Sequence, residues 1–356
     1  MPVFIKEMHY GLLLGSKVSP EPEESDSTSF RILAEGAVIP AAVTTYWCVI
    51  KRIPYVVAGQ KHHIIQMNPY VKEGNENLVH HMESIYYPPE AGLPLGGKRG
   101  RKYLKVEIHY NNPQLFSGVE DESGFEFVVT PRLRKFDAGI MEVGLIYSDA
   151  NSIPPGQTAF PLTGHCIADC TSKLPPDGIY IFGSQLHAHL SGRKLYTSHY
   201  RHGVKIGEVN RDNHYSPHWQ HIVDIRPYVH VLPGGYGIDD EMCVNYIYYF
   251  PASEVEVCKS AVDNRTLHDY FEHVHGIRER SLPIHKKFER IEWSESNAAS
   301  LHELYSTAPL NMHCYRRDGS LFPNHPLNWT GVPQPRIFTA PFQKLRDEHE
   351  CPALND

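Results

Sequence analysis

The chain has 356 residues, 41% of them hydrophobic and 21% charged, which is enough for about two domains with cores of their own. Its formal net charge of −7 comes from acidic residues spread along the chain, so there is no basic footprint for nucleic acid or an anionic membrane. The 28 prolines and 26 glycines predict many turns, little long helix and a β-rich protein, while the 23 histidines first suggest a metal.

Residues 1–42 read as an N-terminal remnant and linker, because Pro20-Glu-Pro-Glu-Glu-Ser-Asp-Ser-Thr-Ser has linker composition. No basic segment precedes an apolar one here, so the reading expects no signal peptide in the chain as given. No apolar run is long enough to cross a bilayer. Residues 43–118 read as a first domain, with strand-like stretches at 44–50, 62–67, 76–82 and 103–110. In the last of these Leu104, Val106 and Ile108 alternate with Lys105, Glu107 and His109, which puts His109 on the polar face. A loop rich in Ser, Gly and acids at 117–124 is the expected boundary. Residues 119–263 read as a second domain, with strands at 125–129, 139–147, 179–190, 194–200 and 243–250. Residues 264–356 turn helix-like at 267–274 and 298–304, become Pro-rich, and read as a C-terminal extension.

Within the 179–190 stretch, His187-Ala-His189 places two imidazoles on one face if the strand is regular, and two imidazoles on one face can bind one metal. Alone, His-x-His is a weak signal that ordinary core or surface histidines often produce. The adjacent pairs His62/His63 and His80/His81 point to opposite faces of a regular strand. One metal could use both members of a pair only where the strand is distorted or a ring turns its other nitrogen. Met242, in Asp-Asp-Glu-Met-Cys, reads by itself as a gap-filling core residue. Beside histidines its thioether would be a soft ligand suited to Cu(I).

Several stretches occur together and in order: Leu78-Val-His-His-Met82, Val106-Glu-Ile-His-Tyr110, Ser184-Gln-Leu-His-Ala-His-Leu-Ser-Gly-Arg-Lys194, Asp212-Asn-His-Tyr-Ser-Pro-His218 and Glu241-Met-Cys-Val-Asn-Tyr246. In these the chain resembles the copper type II, ascorbate-dependent monooxygenases over about residues 44–263, and more weakly to Cys351. The resemblance implies a mainly β protein of two consecutive copper-binding β-sandwich, jelly-roll-like domains with a helical and irregular tail. It implies two coppers per chain. The first, which transfers electrons, would take His80, His81 and His109; the second, where oxygen is activated, would take His187, His189 and Met242. By the same resemblance His62 and His63 are not ligands. Ascorbate would be the electron donor and O2 the oxygen source.

The peptide-amidating members carry an Arg and an Asn where this chain has Gln185 and Val244, so a carboxylate anchor is not expected. The stretches 213–218 and 139–144 are similar to the dopamine and tyramine β-hydroxylating branch. That likeness implies hydroxylation of the benzylic carbon of a phenylethylamine such as tyramine or dopamine. Glu142 could then pair with the substrate ammonium, although a solvated or ion-paired glutamate is the ordinary reading. Tyr246 matches a tyrosine of the amidating branch and reads equally well as a packed strand aromatic. The same resemblance implies a secretory-vesicle or extracellular location, and a homo-oligomer is a further expectation.

Against the family's pattern, Met82-Glu-Ser runs straight into Ile85-Tyr-Tyr-Pro-Pro, and Leu232-Pro-Gly is fused to Gly235-Tyr-Gly, so two internal pieces are expected to be missing. Of seven cysteines, the resemblance implies the bonds Cys166–Cys258 and Cys170–Cys314, leaving Cys48, Cys243 and Cys351 outside the family's pairing. Sequons at Asn264-Arg-Thr and Asn328-Trp-Thr agree with a luminal or secreted origin. The expectation is a shortened monooxygenase with a weakened first copper domain. The alternative is a non-catalytic form that binds copper incompletely.

Overall fold

The computed structural model describes residues 3–5, 26–79, 82–98, 100–188, 191–216, 220–231, 238–239, 243–323 and 328–338. The alternating stretch Tyr103–Asn111 is a strand that buries Leu104, Val106, Ile108 and Tyr110 on one face and turns His109 to the other. It pairs antiparallel with Thr44–Arg52 and parallel with Val3–Ile5. A second sheet lies against this one, ordered Phe136–Asp137, Ala91–Gly96, Lys61–Tyr70, Gly124–Thr130 and Thr28–Leu33. One apolar cluster, including Ile64, Met67, Leu93, Leu104, Ile108, Phe125 and Phe127, joins the two sheets.

The second unit is a six-stranded sheet ordered Val223–Val231, Ile179–His187, Val244–Phe250, Gly139–Leu145, Val255–Val262 and Leu310–Arg316. A four-stranded sheet accompanies it, ordered Thr163–Gly164, Ile238–Asp239, Leu195–Arg201 and Val204–Asp212. Strand Val244–Phe250 is buried along its whole length because both of its faces are covered. Ile247 and Tyr249 enter the unit's own core, whereas Val244, Tyr246, Tyr248 and Phe250 join the core of the first unit. Aromatic pairs close that interface: Tyr87 with Phe182 at 5.7 Å and Phe136 with Phe250 at 5.4 Å. Glu83 also crosses it, its Oε2 accepting the Ile222 N–H at 2.5 Å. Burial lifts the Glu83 carboxyl to about 7, a rise that this hydrogen bond moderates.

Inside the second unit a buried polar chain ties strands together. Ser184 Oγ donates to Asn245 Oδ1 at 2.7 Å, and Asn245 Nδ2 donates to Thr197 Oγ1 at 2.8 Å. The helix Asn264–His275 is capped by Asp263, which accepts the Thr266 N–H, and it ends at Gly276 in the left-handed region. The disulfides Cys166–Cys258 and Cys170–Cys314 are both formed, the second joining Cys170 of the short helix Ala168–Thr171 to strand Leu310–Arg316.

The sheets divide the chain differently from the expected boundaries. Strand Gly124–Thr130, expected in the second domain, lies between Lys61–Tyr70 and Thr28–Leu33 in the first unit, so the division falls beyond residue 130 rather than at 118/119. Thr28–Leu33 was expected in the linker and is instead a sheet strand. The expected extension supplies Leu310–Arg316 to the six-stranded sheet of the second unit and Leu267, Phe271 and Leu301 to that unit's core, so it is part of that unit. Local composition marks a strand but not the sheet it joins. Of the 76–82 stretch, residues 76–78 form a turn and Val79 bridges Tyr110, while the expected 179–190 strand ends its regular pairing at His187.

Candidate metal centres

Of the six expected ligands, His109 and His187 are described; His80, His81, His189 and Met242 lie outside the described residues. His109 stands on the outer face of the Tyr103–Asn111 strand, opposite Tyr46, whose ring stacks on it at 4.5 Å between centroids. The segment that precedes His80 is fastened to the same strand. Val79 bridges Tyr110, and the Asn111 N–H donates to Leu78 O at 2.8 Å. A fully buried carboxylate, Asp121, organises both pieces. It accepts Tyr110 Oη–H at 2.6 Å, Asn75 Nδ2–H at 2.7 Å, and the Ser123 N–H and Oγ–H at 2.9 and 2.7 Å. One carboxylate thus holds the residue after His109 and the turn that leads to Val79.

His187 closes the Ile179–His187 strand, opposite Val244, and is buried. Its Nδ1 lies 2.7 Å from Gln220 Oε1. An amide oxygen only accepts, so Nδ1 carries a proton, and in the neutral ring Nε2 is then the nitrogen that could ligate a metal. Polar partners of this kind orient metal-binding imidazoles. The next residue, Ala188, is clamped by Tyr215, whose hydroxyl accepts the Ala188 N–H at 2.8 Å and donates to its carbonyl at 2.7 Å. Gly192 permits this approach, because a Cβ there would stand 2.9 Å from Ala188 Cβ and 3.1 Å from the Tyr215 ring. The chain also runs close at Cys243, next to Met242, where Leu145 N–H donates to Cys243 O at 2.9 Å. Gly144 is required there, since a Cβ would lie 2.1 Å from that oxygen. The donor types fit a copper ion: an imidazole oriented through Nδ1 by Gln220 at His187, and an imidazole on the outer sheet face at His109.

Glu142 and Tyr246 stand on the His187 side of the sheet, in register with each other. Glu142 Oε2 is ion-paired with buried Lys259, which also sits 3.8 Å over the Tyr147 ring. Tyr147 and Tyr246 hydroxyls are 3.5 Å apart, and the Tyr246 ring meets His187 edge-on at 6.4 Å. His63 is held by protein groups: Nδ1 accepts the Arg134 N–H at 3.0 Å and Nε2 donates to Asp137 Oδ1 at 2.8 Å. His62 Nδ1 is 3.0 Å from Gln60 O. Asn264 and Asn328 are exposed. Sequence reasoning missed Gln220, Asp121 and the role of Tyr215. The stretch 212–218 drew attention to the region of Tyr215, but an acid in a Ser/Gly loop such as Asp121 carries no sign of burial.

Residues 30–85 and 82–117 match the model of the copper type II ascorbate-dependent monooxygenase N-terminal domain, and 136–235 and 229–271 match that of the C-terminal domain. Each match comes in two pieces that overlap at 82–85 and 229–235, the two places where internal pieces are expected to be missing. The chain is 44% identical to the tyramine beta-hydroxylase of Caenorhabditis briggsae over 89% of this chain and 65% of that protein. It is 38% identical to the dopamine beta-hydroxylase of Homo sapiens, over 90% and 62%. To that of Equus caballus it is 37% identical, over 97% and 67%. The chain therefore spans about two thirds or less of the length of these relatives.

Proposed function

Because the chain belongs to the copper type II ascorbate-dependent monooxygenase family, we propose that it hydroxylates the benzylic carbon of a phenylethylamine such as tyramine or dopamine, with O2 as oxygen source and ascorbate as reductant. Copper, when bound, supplies the one-electron redox chemistry and the activation of O2. In this reading His187, His189 and Met242 hold the copper at which the substrate reacts, and His80, His81 and His109 hold the one that delivers the second electron.

The observation that carries the reading is the His187–Gln220 pair, which holds the ring by Nδ1, together with the Tyr215 clamp on Ala188. Around it the chain's own residues shape the reaction. The apolar interface of Phe182, Val244, Tyr248 and Phe250 excludes water beside the His187 side of the sheet. Glu142 keeps Oε1 outside its pair with Lys259, and that oxygen is the group we assign to the substrate ammonium. Tyr246, between Glu142 and Gln185 in register, is the surface on which the ring rests.

The names of the relatives and the two disulfides support a secretory-vesicle or extracellular location. Glycans at exposed Asn264 and Asn328 belong to the same reading, as does a homo-oligomer. The test is copper stoichiometry with ascorbate-dependent O2 uptake on the purified chain. Two coppers per chain and formation of the β-hydroxylated amine are expected. One copper or none, with no uptake, would point instead to a non-catalytic form.

A further inference from the structure

The face of the six-stranded sheet that carries His187 also carries a polar row that the copper ligands leave unused. Strand register sets Gln185 directly opposite Tyr246, and Tyr246 directly opposite Glu142, so side chains from three adjacent strands point to one side. Gln185 is on that side because it lies two residues before His187. It is 1% exposed, and its Nε2 has no hydrogen-bond partner among the described residues. Burying an amide donor without an acceptor is costly, and folded proteins seldom leave one so. The buried Asn245 amide, on the next strand and opposite face, shows the usual solution, since it is satisfied by Ser184 and Thr197. At the far end of the row Glu142 has Oε1 outside its ion pair. The two ends are two interstrand spacings apart, roughly 10 Å.

Resting on the amine-hydroxylase reading, we infer that Gln185 determines specificity, its Nε2–H donating to the ring oxygen of the substrate. The ring then lies against Tyr246, the ammonium points to Glu142, and the carbon between them is on the side of His187. An amine whose ring bears no oxygen leaves the donor buried and unmet, and is the poorer ligand.

The test compares tyramine with unsubstituted phenylethylamine on the copper-loaded chain and its Gln185→Leu variant, by binding calorimetry and by ascorbate-dependent hydroxylation. The native chain is expected to bind tyramine about tenfold more tightly, and Gln185→Leu to lose that preference while changing phenylethylamine binding by less than about twofold. Removing an unmet buried donor should leave the melting temperature unchanged or raised. A lowered melting temperature would mark a structural role and overturn the inference, as would equal losses for both amines or no loss for either. Gln185→Glu keeps the shape while exchanging the amide donor for an acceptor, and is expected to lose the same preference. Calorimetry needs no turnover, so absent hydroxylation counts against the proposed activity, whereas an unchanged preference for tyramine counts against Gln185.

Discussion

Gln220 stands 33 residues from His187 in sequence and, by accepting from Nδ1, decides which of its ring nitrogens carries the proton. Gln220→Leu removes the acceptor for Nδ1–H and lets the ring rotate or change tautomer. Copper affinity at the site of His187 is expected to fall by about ten- to hundredfold, the usual cost of losing such a partner. Titration against a competing chelator measures it. A second residue sets an acid limit. Burial holds His165 at about 4, below the ordinary 6.5, so the ring is neutral in the folded protein. As pH falls below 6.5 the unfolded chain takes up a proton that the folded one refuses until about 4, and stability drains away across that window. His165→Gln should reduce the stability lost between pH 7 and pH 5 by about 2 kcal/mol, measured by denaturant titration at the two pH values. Neither residue was legible in the sequence as it stands: a glutamine has no motif of its own, and a histidine beside a cysteine looks the same buried or exposed.

At the level of elements, Asp121 links the Tyr103–Asn111 strand to the turn around Asn75. Asp121→Asn keeps the volume but turns one acceptor oxygen into a donor facing other donors. The expected loss is about 2–4 kcal/mol of stability. The segment leading to His80 is then no longer fixed against His109, so copper stoichiometry should fall toward one per chain. Thermal melting and metal analysis check the two effects together. The strands themselves were largely readable, because alternation at 103–110 and continuous apolar character at 243–250 are local properties. Strand Val204–Asp212 escaped notice, since its residues are exposed or half-buried and its pattern carries little apolar alternation.

For the whole molecule, the interface of Tyr87, Phe136, Phe182 and Phe250 packs side chains of the second unit into the core of the first. Phe250→Ala opens a cavity there and is expected to cost about 3–5 kcal/mol. Calorimetry should then resolve two melting transitions where the native chain shows one. The sequence by itself determined the family and the mainly β character, through the order of its motifs and its alternating patterns, and by resemblance it named the candidate ligands. It also carried the two disulfide pairs, through order and resemblance. Only the tertiary structure decided that Gly124–Thr130 belongs to the first unit, that the C-terminal segment completes the second, and that Gln220, Tyr215 and Asp121 brace the candidate centres. Those outcomes rest on contacts between residues far apart in sequence, and a strand's composition does not say which neighbour it will find.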